Sequence, residues 1–560
     1  MEIHFLGGAT TVTGSQFLLV TDRAKVLVDC GLFQGSPNEA VRNRVPFAFD
    51  PAELDAILLT HAHLDHCGLV PKAVVDGFRG PVIATRGTCE LAELVLLDSG
   101  RLQQEFAKRE ARWEKKHPDE AVDDDRKERA AYEAALRLAE DPGASSGDAP
   151  TRPAAPEAAT IASAAVSDAT AEATESDAAA VATASPVPWS GPDLEADLRS
   201  QPPELQIDLD EPLYTERDAR RALEQFRAID YDEDVEVAPG IRARYVDAGH
   251  ILGSAIIVVQ ASDGGGDERT IVFSGDLGRP GTPIIRDPTI VREADYVLVE
   301  STYGGREHEP HEEAIRVLAE TVRLVAEAEG VLLVPSFAIG RTQEIVWELD
   351  RLIDRGEIPQ IPLFLDSPMA SKASDIYRRH ADYFDEETAK LLRDGDAPLD
   401  YPDQTETRKL EQSKAIAETP RPYMIIASNG MLTGGRVLGH LRELIGDPTA
   451  TLLFVGYQGE GTLGAHLQAG AKEVRLDGQQ REVRCRVRSI SGFSAHADET
   501  EILDWLRNFS EGRRPGDRGF PRRVFLVHGD PEAQVVLEPK VRELGLEAKV
   551  PHWRERVPLD

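Results

Sequence analysis

The chain of 560 residues is 41% hydrophobic, which is enough for more than one core and excludes a wholly disordered protein. Its apolar runs are shorter than the roughly 20 residues that a membrane-spanning helix needs, which excludes that class of membrane protein. A formal net charge of −35 repels polyanions at long range and counts against binding of nucleic acid.

Two features reduce this electrostatic objection. Part of the acidic charge lies in one segment of biased composition. An acidic surface with few lysines also suits a protein that stays soluble at high salt, where the Debye length falls to about 3 Å near 1 M. The motifs therefore have to decide the functional class.

The N-terminus, Met1–Leu6, is a strand-like run without the basic region and apolar stretch of a signal peptide. Four cysteines lack the C-x-x-C spacing of a thiolate zinc site, and their scatter argues against a disulfide framework. They are Cys30, Cys67, Cys89 and Cys485. These features predict a cytoplasmic protein without membrane association.

Short β-branched runs alternate with amphipathic stretches along the chain, which indicates an α/β protein. The predicted strands are Lys25–Val28, Ala56–Leu59, Ile256–Val259, Thr270–Phe273, Tyr296–Val299, Val331–Val334, Met424–Ile426, Leu452–Val455 and Arg523–Val527. The predicted helices are Thr88–Arg112, Thr215–Phe226, Thr342–Leu352 and Val437–Ile445. Thr215 followed by Asp218 is typical of an N-cap with an acidic residue at the third helical position.

Residues 143–188 are almost entirely Ala, Ser, Thr, Asp, Glu and Pro, with no aromatic residue and no lysine. Such a segment buries too little apolar surface to offset the entropy of ordering it, which predicts a disordered insertion. With its flanks, we place this acidic, alanine-rich insertion at about 118–210. Transient helix is the alternative, because of the alanine content.

Several predicted strands end within one to three residues of a polar group that could act in a site. These groups are Asp29, His61, Asp276, Glu300 and His528. Strand ends in α/β layers let polar side chains converge in a crevice without burial in the core. The pattern predicts one site assembled from distant segments.

The strongest single motif is Thr60–His66, which places three histidines and an aspartate on a turn after a strand. Imidazole and carboxylate groups are suitable zinc ligands, and this many of them can serve two neighbouring cations. A lone histidine pair is more often structural, but H-x-H-x-D-H after a buried strand indicates metal binding.

These residues resemble the metallo-β-lactamase superfamily, with Asp29, the Thr60–His66 turn, His250 and Asp276 in the positions of its four motifs. The resemblance implies that His61, His63 and His250 hold one zinc ion. Asp65, His66 and a final histidine then hold the second, and Asp276 bridges them. Asp29 orients the histidine turn in the catalytic centre, where Asp65 also lies. His66 and His250 lie farther apart than is usual in the family, which the insertion explains.

The region after Asp276 resembles the β-CASP nucleases of that superfamily. Glu300, His496 and His528 match their motifs A, B and C, and His528 would complete the second zinc site. The implied fold is an αββα sandwich with an inserted α/β β-CASP cap. The expected domains are 1–304 and 489–560 for the sandwich and 305–488 for the cap. The similarity extends to bacterial and archaeal ribonucleases that resemble the endonuclease subunit of the pre-mRNA 3′-end machinery.

Two glycine–arginine pairs, ending in Arg341 and Arg436, each follow a predicted strand and precede a predicted helix. Backbone N–H groups at a helix start bind anions, and a guanidinium adds two donors. Ser428 and Gly430 lie in the same loop as Arg436. We predict that these four residues bind the substrate phosphate. The alternative is that the glycines form tight turns and the arginines are solvated.

The predicted function is hydrolysis of RNA phosphodiester bonds by a two-metal mechanism, with two Zn²⁺ per chain and Mn²⁺ as an alternative in one site. We expect His496 to contact the scissile phosphate and to protonate or stabilise the leaving 3′ oxygen, with Glu300 holding its imidazole. The sequence does not separate endonuclease from 5′→3′ exonuclease, and it allows a homodimer. The remaining histidines are predicted to be surface or packing residues: His4, His117, His308, His311, His380, His440, His466 and His552.

Three other functions stay open at this point. A hydrolase of a small ester, thioester or lactam needs the same metal site but has no use for a large cap, Glu300 or His496. A non-catalytic scaffold would have lost ligand positions, whereas all are filled here. A DNA-processing nuclease differs in its treatment of the 2′-hydroxyl, for which the sequence assigns no residue.

Overall fold

The computed structural model describes residues 1–35, 37–140, 211–397, 399–456, 458–459, 462–476 and 478–560. The strands in these ranges form two seven-stranded sheets, one six-stranded sheet and one hairpin. No helix among the described residues is long and apolar enough to cross a lipid bilayer.

The first sheet has the order β22-β1-β2-β3-β4-β5-β6. Its strands are β1 (Glu2–Gly7), β2 (Gln16–Val20), β3 (Lys25–Val28), β4 (Ala56–Leu58), β5 (Val82–Thr85), β6 (Phe226–Ile229) and β22 (Glu555–Pro558). One face packs against helices that include Val70–Val75, Arg86–Glu114 and Glu216–Leu223, around buried Ile57 and Leu91. The short helices Pro37–Ala40 and Leu64–Cys67 also follow strands of this sheet.

The second sheet has the order β21-β20-β11-β10-β9-β8-β7. Its strands are β7 (Asp234–Ala238), β8 (Ile241–Asp247), β9 (Ala255–Ala261), β10 (Arg269–Phe273), β11 (Tyr296–Glu300), β20 (Arg523–Val527) and β21 (Ala548–Lys549). Its outer face is covered by helices Glu499–Ser510 and Pro531–Glu543.

The two sheets pack face to face through a core of alternate strand residues. The Phe5 ring lies 5.0 Å from that of Phe525, and the Phe17 ring lies 6.3 Å from that of Phe273. Aromatic pairs at this separation add to the burial of apolar surface between sheets. Helices, two sheets and helices thus form four layers, which confirms the predicted αββα sandwich.

The third sheet is parallel throughout, with the order β14-β13-β15-β12-β16-β19. Its strands are β12 (Val331–Pro335), β13 (Leu363–Asp366), β14 (Gln404–Glu406), β15 (Tyr423–Ala427), β16 (Thr451–Phe454) and β19 (Arg486–Ser489). Strands β17 (Glu473–Leu476) and β18 (Gln479–Glu482) form the hairpin.

Helices cover both faces of the third sheet, as a parallel sheet requires. Helices His311–Glu327 and Arg341–Asp354 share a core with one face, and Val437–Leu444 and Leu463–Gln468 share a core with the other. The remaining helices of this region are Pro368–Arg379, Glu386–Arg393 and Leu410–Ala415. Short 3-10 helices lie at Val41–Arg44, Pro51–Glu53, Ala381–Tyr383 and Ile416–Glu418. This α/β unit between β11 and β20 confirms the predicted cap.

The predicted strands are confirmed to within three residues at each end. Helix Glu216–Leu223 begins at the predicted Thr215 cap, whose hydroxyl and backbone N–H pair with Asp218 in a capping box. The prediction that this helix continues to Phe226 is wrong, because Phe226 starts β6 and pairs with Val82. Pairing with a neighbouring strand overrides the local helical pattern there.

The predicted insertion is only partly within the described residues. Pro118–Glu140 forms a helix in which Tyr132, Ala135 and Ala139 are buried, so the prediction of disorder from 118 is wrong for this part. Those apolar side chains recur at helical spacing and give the segment a face to bury. Residues 141–210, including the low-complexity segment 143–188, lie outside the described residues.

Backbone hydrogen bonds fasten the histidine turn to the loop after β3. The N–H groups of Cys30 and Leu32 donate to the carbonyls of His66 and Leu64, each at 2.8 Å. A Cβ atom added to Gly31 would lie 1.7 Å from the Asp65 carbonyl oxygen. Only glycine therefore allows these two loops to approach as they do.

We predict that Gly31→Ala unfolds at a lower temperature than the wild type, because the added methyl forces the loops apart at a cost of at least about 1–3 kcal/mol. Gly439→Ala is the matched control. Gly439 lies inside helix Val437–Leu444 with no atom within 4 Å of an added Cβ, so alanine should raise stability by up to about 1 kcal/mol. Thermal unfolding by circular dichroism measures both, and equal midpoints for the two variants would contradict the close-approach argument.

Candidate metal centre

The carboxyl ends of several strands deliver the predicted ligands to one edge of the sandwich. Asp29 follows β3, and His61 stands three residues after β4. His250 and Asp276 each stand three residues after their strands, β8 and β10, and His528 directly follows β20. The structure brings all seven predicted metal ligands together in two groups.

The first group consists of His61, His63, His250 and Asp276, whose potential ligand atoms lie within 4.8 Å of one another. His63 Nδ1 is 3.1 Å from His61 Nε2 and 3.3 Å from His250 Nε2. His61 and His250 are buried and His63 is half-buried. Three imidazole nitrogens thus point at a common centre.

The second group consists of Asp65, His66 and His528. His528 Nε2 lies 3.2 Å from His66 Nε2 and 3.5 Å from an oxygen of Asp65. Asp276 touches this group as well, because its Oδ1 lies 3.2 Å from His66 Nε2 and 3.5 Å from His528 Nδ1. Its other oxygen, Oδ2, lies 3.4 Å from His61 Nε2. The Asp276 carboxylate therefore stands between the two groups.

The residues present fit divalent metal ions. Asp276 Oδ1 is buried and accepts no hydrogen bond from the described residues. Neutral imidazole nitrogens that face each other at hydrogen-bond distance need either a shared proton or a cation between them. The donor set of histidine nitrogens and carboxylate oxygens is the one that zinc prefers.

Burial sets the charge states of the first group. It lowers the pKa of His61, His63 and His250, with further lowering by neighbouring histidines and an opposing effect of Asp276. Their imidazoles are therefore neutral at neutral pH, which leaves lone pairs free for a cation. Burial raises the pKa of Asp65, but the hydrogen bond to His528 and the nearby His66 outweigh it and bring the pKa to about 2.

Asp29 and Thr60 hold the histidine turn from behind. Asp29 accepts hydrogen bonds from the Thr60 backbone N–H and from His66 Nδ1, each at 2.8 Å, and also from the Thr60 hydroxyl. His250 Nδ1 donates to the Ala495 carbonyl at 3.1 Å. These bonds leave the Nε2 atoms of His66 and His250 facing the centre, as ligand orientation requires.

His496 and Glu300 form a pair beside the two groups. His496 Nδ1 lies 3.2 Å from both carboxylate oxygens of Glu300, and Glu300 is fully buried and accepts the Leu277 N–H at 2.6 Å. Burial lowers the pKa of His496, but the Glu300 and Asp276 carboxylates outweigh it and raise the pKa to about 9. None of the described residues hydrogen-bonds His496 Nε2, and the side chain is 22% exposed.

Thr60 and His308 also lie at the site, although the sequence did not predict them as site residues. Thr60 lies between Asp29 and two ligand imidazoles, with its hydroxyl 3.1 Å from His61 Nδ1. The Nε2 atom of His308, a residue predicted to be at the surface or in packing, lies 3.1 Å from the His496 carbonyl oxygen, and the His308 ring lies 4.2 Å from the Tyr303 ring at an angle of 58°. Thr60 opens the histidine motif and could have been suspected, whereas no spacing identifies His308.

Arg436 does not have the environment that the sequence suggested. Its guanidinium donates to the buried Asp366 carboxylate at 2.7 Å and to the carbonyls of Thr407 and Arg408. Asp366 also accepts from Ser413 and His440 at 2.5 and 2.6 Å. Arg436 therefore neutralises a buried acid of β13, and the prediction that it binds phosphate is not supported.

Arg341 is likewise buried and paired with an acidic side chain of the protein. Its side chain is 6% exposed and forms an ion pair with Glu344 one turn further along the same helix. Burial raises the pKa of Glu344, which Arg341 opposes. A buried arginine that balances a buried glutamate has no free charge for a substrate, so this prediction is not supported either.

Ser428 and Gly430 remain at the edge that β12, β13 and β15 share. The Ser428 hydroxyl donates to that of Ser367, which caps helix Pro368–Arg379. Gly430 is buried against Phe337, and its carbonyl accepts from Gln458 at 3.1 Å. Their backbone stays a predicted phosphate contact.

Three family models match the chain. The model of the metallo-beta-lactamase superfamily matches residues 9–90, that of the Beta-Casp domain matches 342–467, and that of a Zn-dependent metallo-hydrolase RNA specificity domain matches 480–551. The first match contains the histidine turn, and the second lies within the third sheet and its helices.

Curated relatives match nearly the whole length of this chain. Ribonuclease TTHA0252 of Thermus thermophilus is 33% identical over 559 residues, covering 100% of both chains. Transcription termination factor FttA of Methanosarcina mazei is 28% identical, over 98% of this chain and 70% of the relative. FttA of Methanocaldococcus jannaschii is 25% identical, over 97% and 69%. Together with the αββα sandwich, its cap and its ligand groups, these matches show that the chain belongs to the β-CASP family of the metallo-β-lactamase superfamily.

Proposed function

We propose that this protein is a zinc-dependent ribonuclease that hydrolyses phosphodiester bonds of RNA, with two Zn²⁺ ions per chain. The observation that carries the proposal is the His496–Glu300 pair next to two adjoining ligand groups. The 33% identical relative from Thermus thermophilus is named a ribonuclease, and the archaeal relatives are named transcription termination factors. Both names fit a substrate of RNA.

The positions of the residues support the following roles. His61, His63 and His250 would hold one ion, Asp65, His66 and His528 the other, and Asp276 would contact both. Bound zinc ions supply Lewis acidity, which activates a water molecule for attack and polarises the phosphoryl group. Asp29 and Thr60 keep the histidines oriented, so that the ligands do not reorganise during reaction.

His496 has the properties of a general acid. Glu300 holds Nδ1 and favours the protonated imidazole, which leaves Nε2 to donate a proton to the leaving 3′ oxygen. Asp276 lies 3.9 Å from the same ring and adds to the stabilisation of its charge. The Ser428–Gly430 backbone would contact the phosphate.

We also propose domain bounds and a cellular location for the protein. We place the domain bounds at residues 1–304 with 489–560 and at 305–488. The free thiols Cys30, Cys67, Cys89 and Cys485 support a reducing, cytoplasmic location. A measurement of mass in solution tests for a homodimer, and metal exchange tests whether Mn²⁺ can occupy one site.

RNA cleavage tests the proposal directly. Purified protein is incubated with a 5′-labelled single-stranded RNA and with the DNA of the same sequence, at about 0.1 M and 1 M salt. We expect the wild type to cut RNA, and His63→Ala, which lacks a ligand, to cut neither. The product lengths separate internal cleavage from stepwise 5′→3′ degradation.

His552→Ala is the matched control, because His552 is exposed and distant in sequence from every ligand, and it should cleave as the wild type does. If the wild type holds its full zinc content but cuts RNA at neither salt concentration, the ribonuclease proposal is wrong. Hydrolysis of thioester or lactam substrates by that protein would establish the alternative activity instead.

The acid role of His496 makes a separate prediction. His496→Ala should lower kcat by about 10²–10⁴-fold with little change in KM, because proton donation acts in the transition state. Glu300→Gln should lower kcat less, since the imidazole stays in place but loses the carboxylate that favours its charged form. Steady-state kinetics on a fluorogenic RNA measures both, with zinc content determined for each variant. Unchanged kcat in His496→Ala with two zinc ions bound would contradict the assignment.

A further inference from the structure

Phe337 is exposed in the loop Ser336–Gly340, in which Ser336, Ala338 and Ile339 are buried. Its side chain is 39% exposed, whereas Ser336, Ala338 and Ile339 are 1%, 9% and 6% exposed. The loop lies at the carboxyl end of β12 and is followed at once by helix Arg341–Asp354. An aromatic ring turned to solvent gives up burial energy that its neighbours gain.

The loop that contains Phe337 contacts the loop that contains the predicted ligand His250. A Cβ atom added to Gly340 would lie 2.9 Å from Ile251, the residue after His250. The backbone N–H of Leu252 donates to the hydroxyl of Tyr377 at 3.1 Å, and Ile251, Ile339 and Tyr377 belong to one buried cluster. Phe337 is three residues from Gly340, so it belongs to the loop that contacts the residue after the predicted ligand His250.

The ring is also held in place. A Cβ atom added to Gly430 would lie 3.2 Å from Cδ2 and Cε2 of Phe337, so the ring packs against the predicted phosphate-binding backbone. The Thr342 hydroxyl and N–H both donate to the Phe337 carbonyl. A fixed ring loses little entropy when a planar group stacks on it.

We infer that Phe337 is a stacking platform for one base of the RNA, next to the phosphate that is cut. The inference rests on the proposed ribonuclease function. The ring packs on the predicted phosphate-binding backbone, and its loop contacts the residue after the predicted ligand His250, so the exposed face of the ring is available to a base next to the scissile bond. Stacking accepts any base, because every base has an aromatic face, and it requires no charge from this acidic protein.

The test is a double-mutant cycle between the protein and the RNA. The wild type and Phe337→Ala are assayed on a short single-stranded RNA and on a series in which one nucleotide at a time lacks its base. Stacking contributes about 5- to 150-fold per base, so Phe337→Ala should lower kcat/KM on the intact RNA by that factor. One abasic position should cause the same loss in the wild type and no further loss in Phe337→Ala.

Two further variants separate stacking from packing. Phe337→Leu keeps an apolar contact with Gly430 but has no aromatic face, so it should behave as Phe337→Ala does, whereas Phe337→Trp should retain activity. Phe106→Ala is the matched control, since Phe106 is 52% exposed on helix Arg86–Glu114 and should leave kcat/KM unchanged.

The outcomes distinguish this inference from the proposed function. If the wild type cuts the intact RNA but no abasic position couples to Phe337, or if Phe337→Leu equals the wild type, the stacking role is overturned and the ribonuclease stands. If the wild type cuts no RNA at all, the proposed function fails, and the stacking role fails with it.

Discussion

The Asp276 carboxylate organises the histidines of the site. It lies within 3.9 Å of His61, His66, His250, His496 and His528, which come from four separate parts of the chain. Burial raises the pKa of Asp276, but the surrounding imidazoles outweigh it and hold the pKa well below its usual range. A buried negative charge of this kind is costly unless positive charge meets it, and a pair of metal ions would supply that charge.

The backbone is strained at Asp29 and His528, two residues whose side chains point into the site. Asp29 and His528 have φ values of 58° and 49°, a region that residues other than glycine seldom occupy, at a cost of order 1–3 kcal/mol each. Both follow the last residue of a strand, where this turn of the backbone aims the side chain at the centre. The Thr60 hydroxyl donates to Asp29, and a hydrogen bond between Thr302 and His528 Nδ1 holds the His528 ring. The sandwich thus stabilises this strained backbone, which holds the predicted ligands in fixed positions.

The fold and the convergence of the predicted ligands could be predicted from the sequence, because both depend on local patterns. Strands are visible as β-branched runs, and the polar residue after each strand marks the edge where Asp29, His61 and His528 meet. Arg341 and Arg436 could not be interpreted this way. Arg341 pairs with Glu344, and Arg436 pairs with Asp366, which is 70 residues away in the chain. A sequence pattern does not show which acidic side chain is buried and needs a positive partner. The exposure of Phe337 is likewise a property of packing between two loops.

We propose that Asp276 would serve both metal sites, and the metal content per chain tests this proposal most directly. Wild type and variants are loaded with zinc, freed of excess by gel filtration and analysed by mass spectrometry of the elements. The wild type should hold two zinc ions, and His63→Ala and His528→Ala should each hold about one. Asp276→Ala should hold fewer than one, because both groups lose a ligand. Two ions retained by Asp276→Ala, or a wild type that binds only one, would contradict the account.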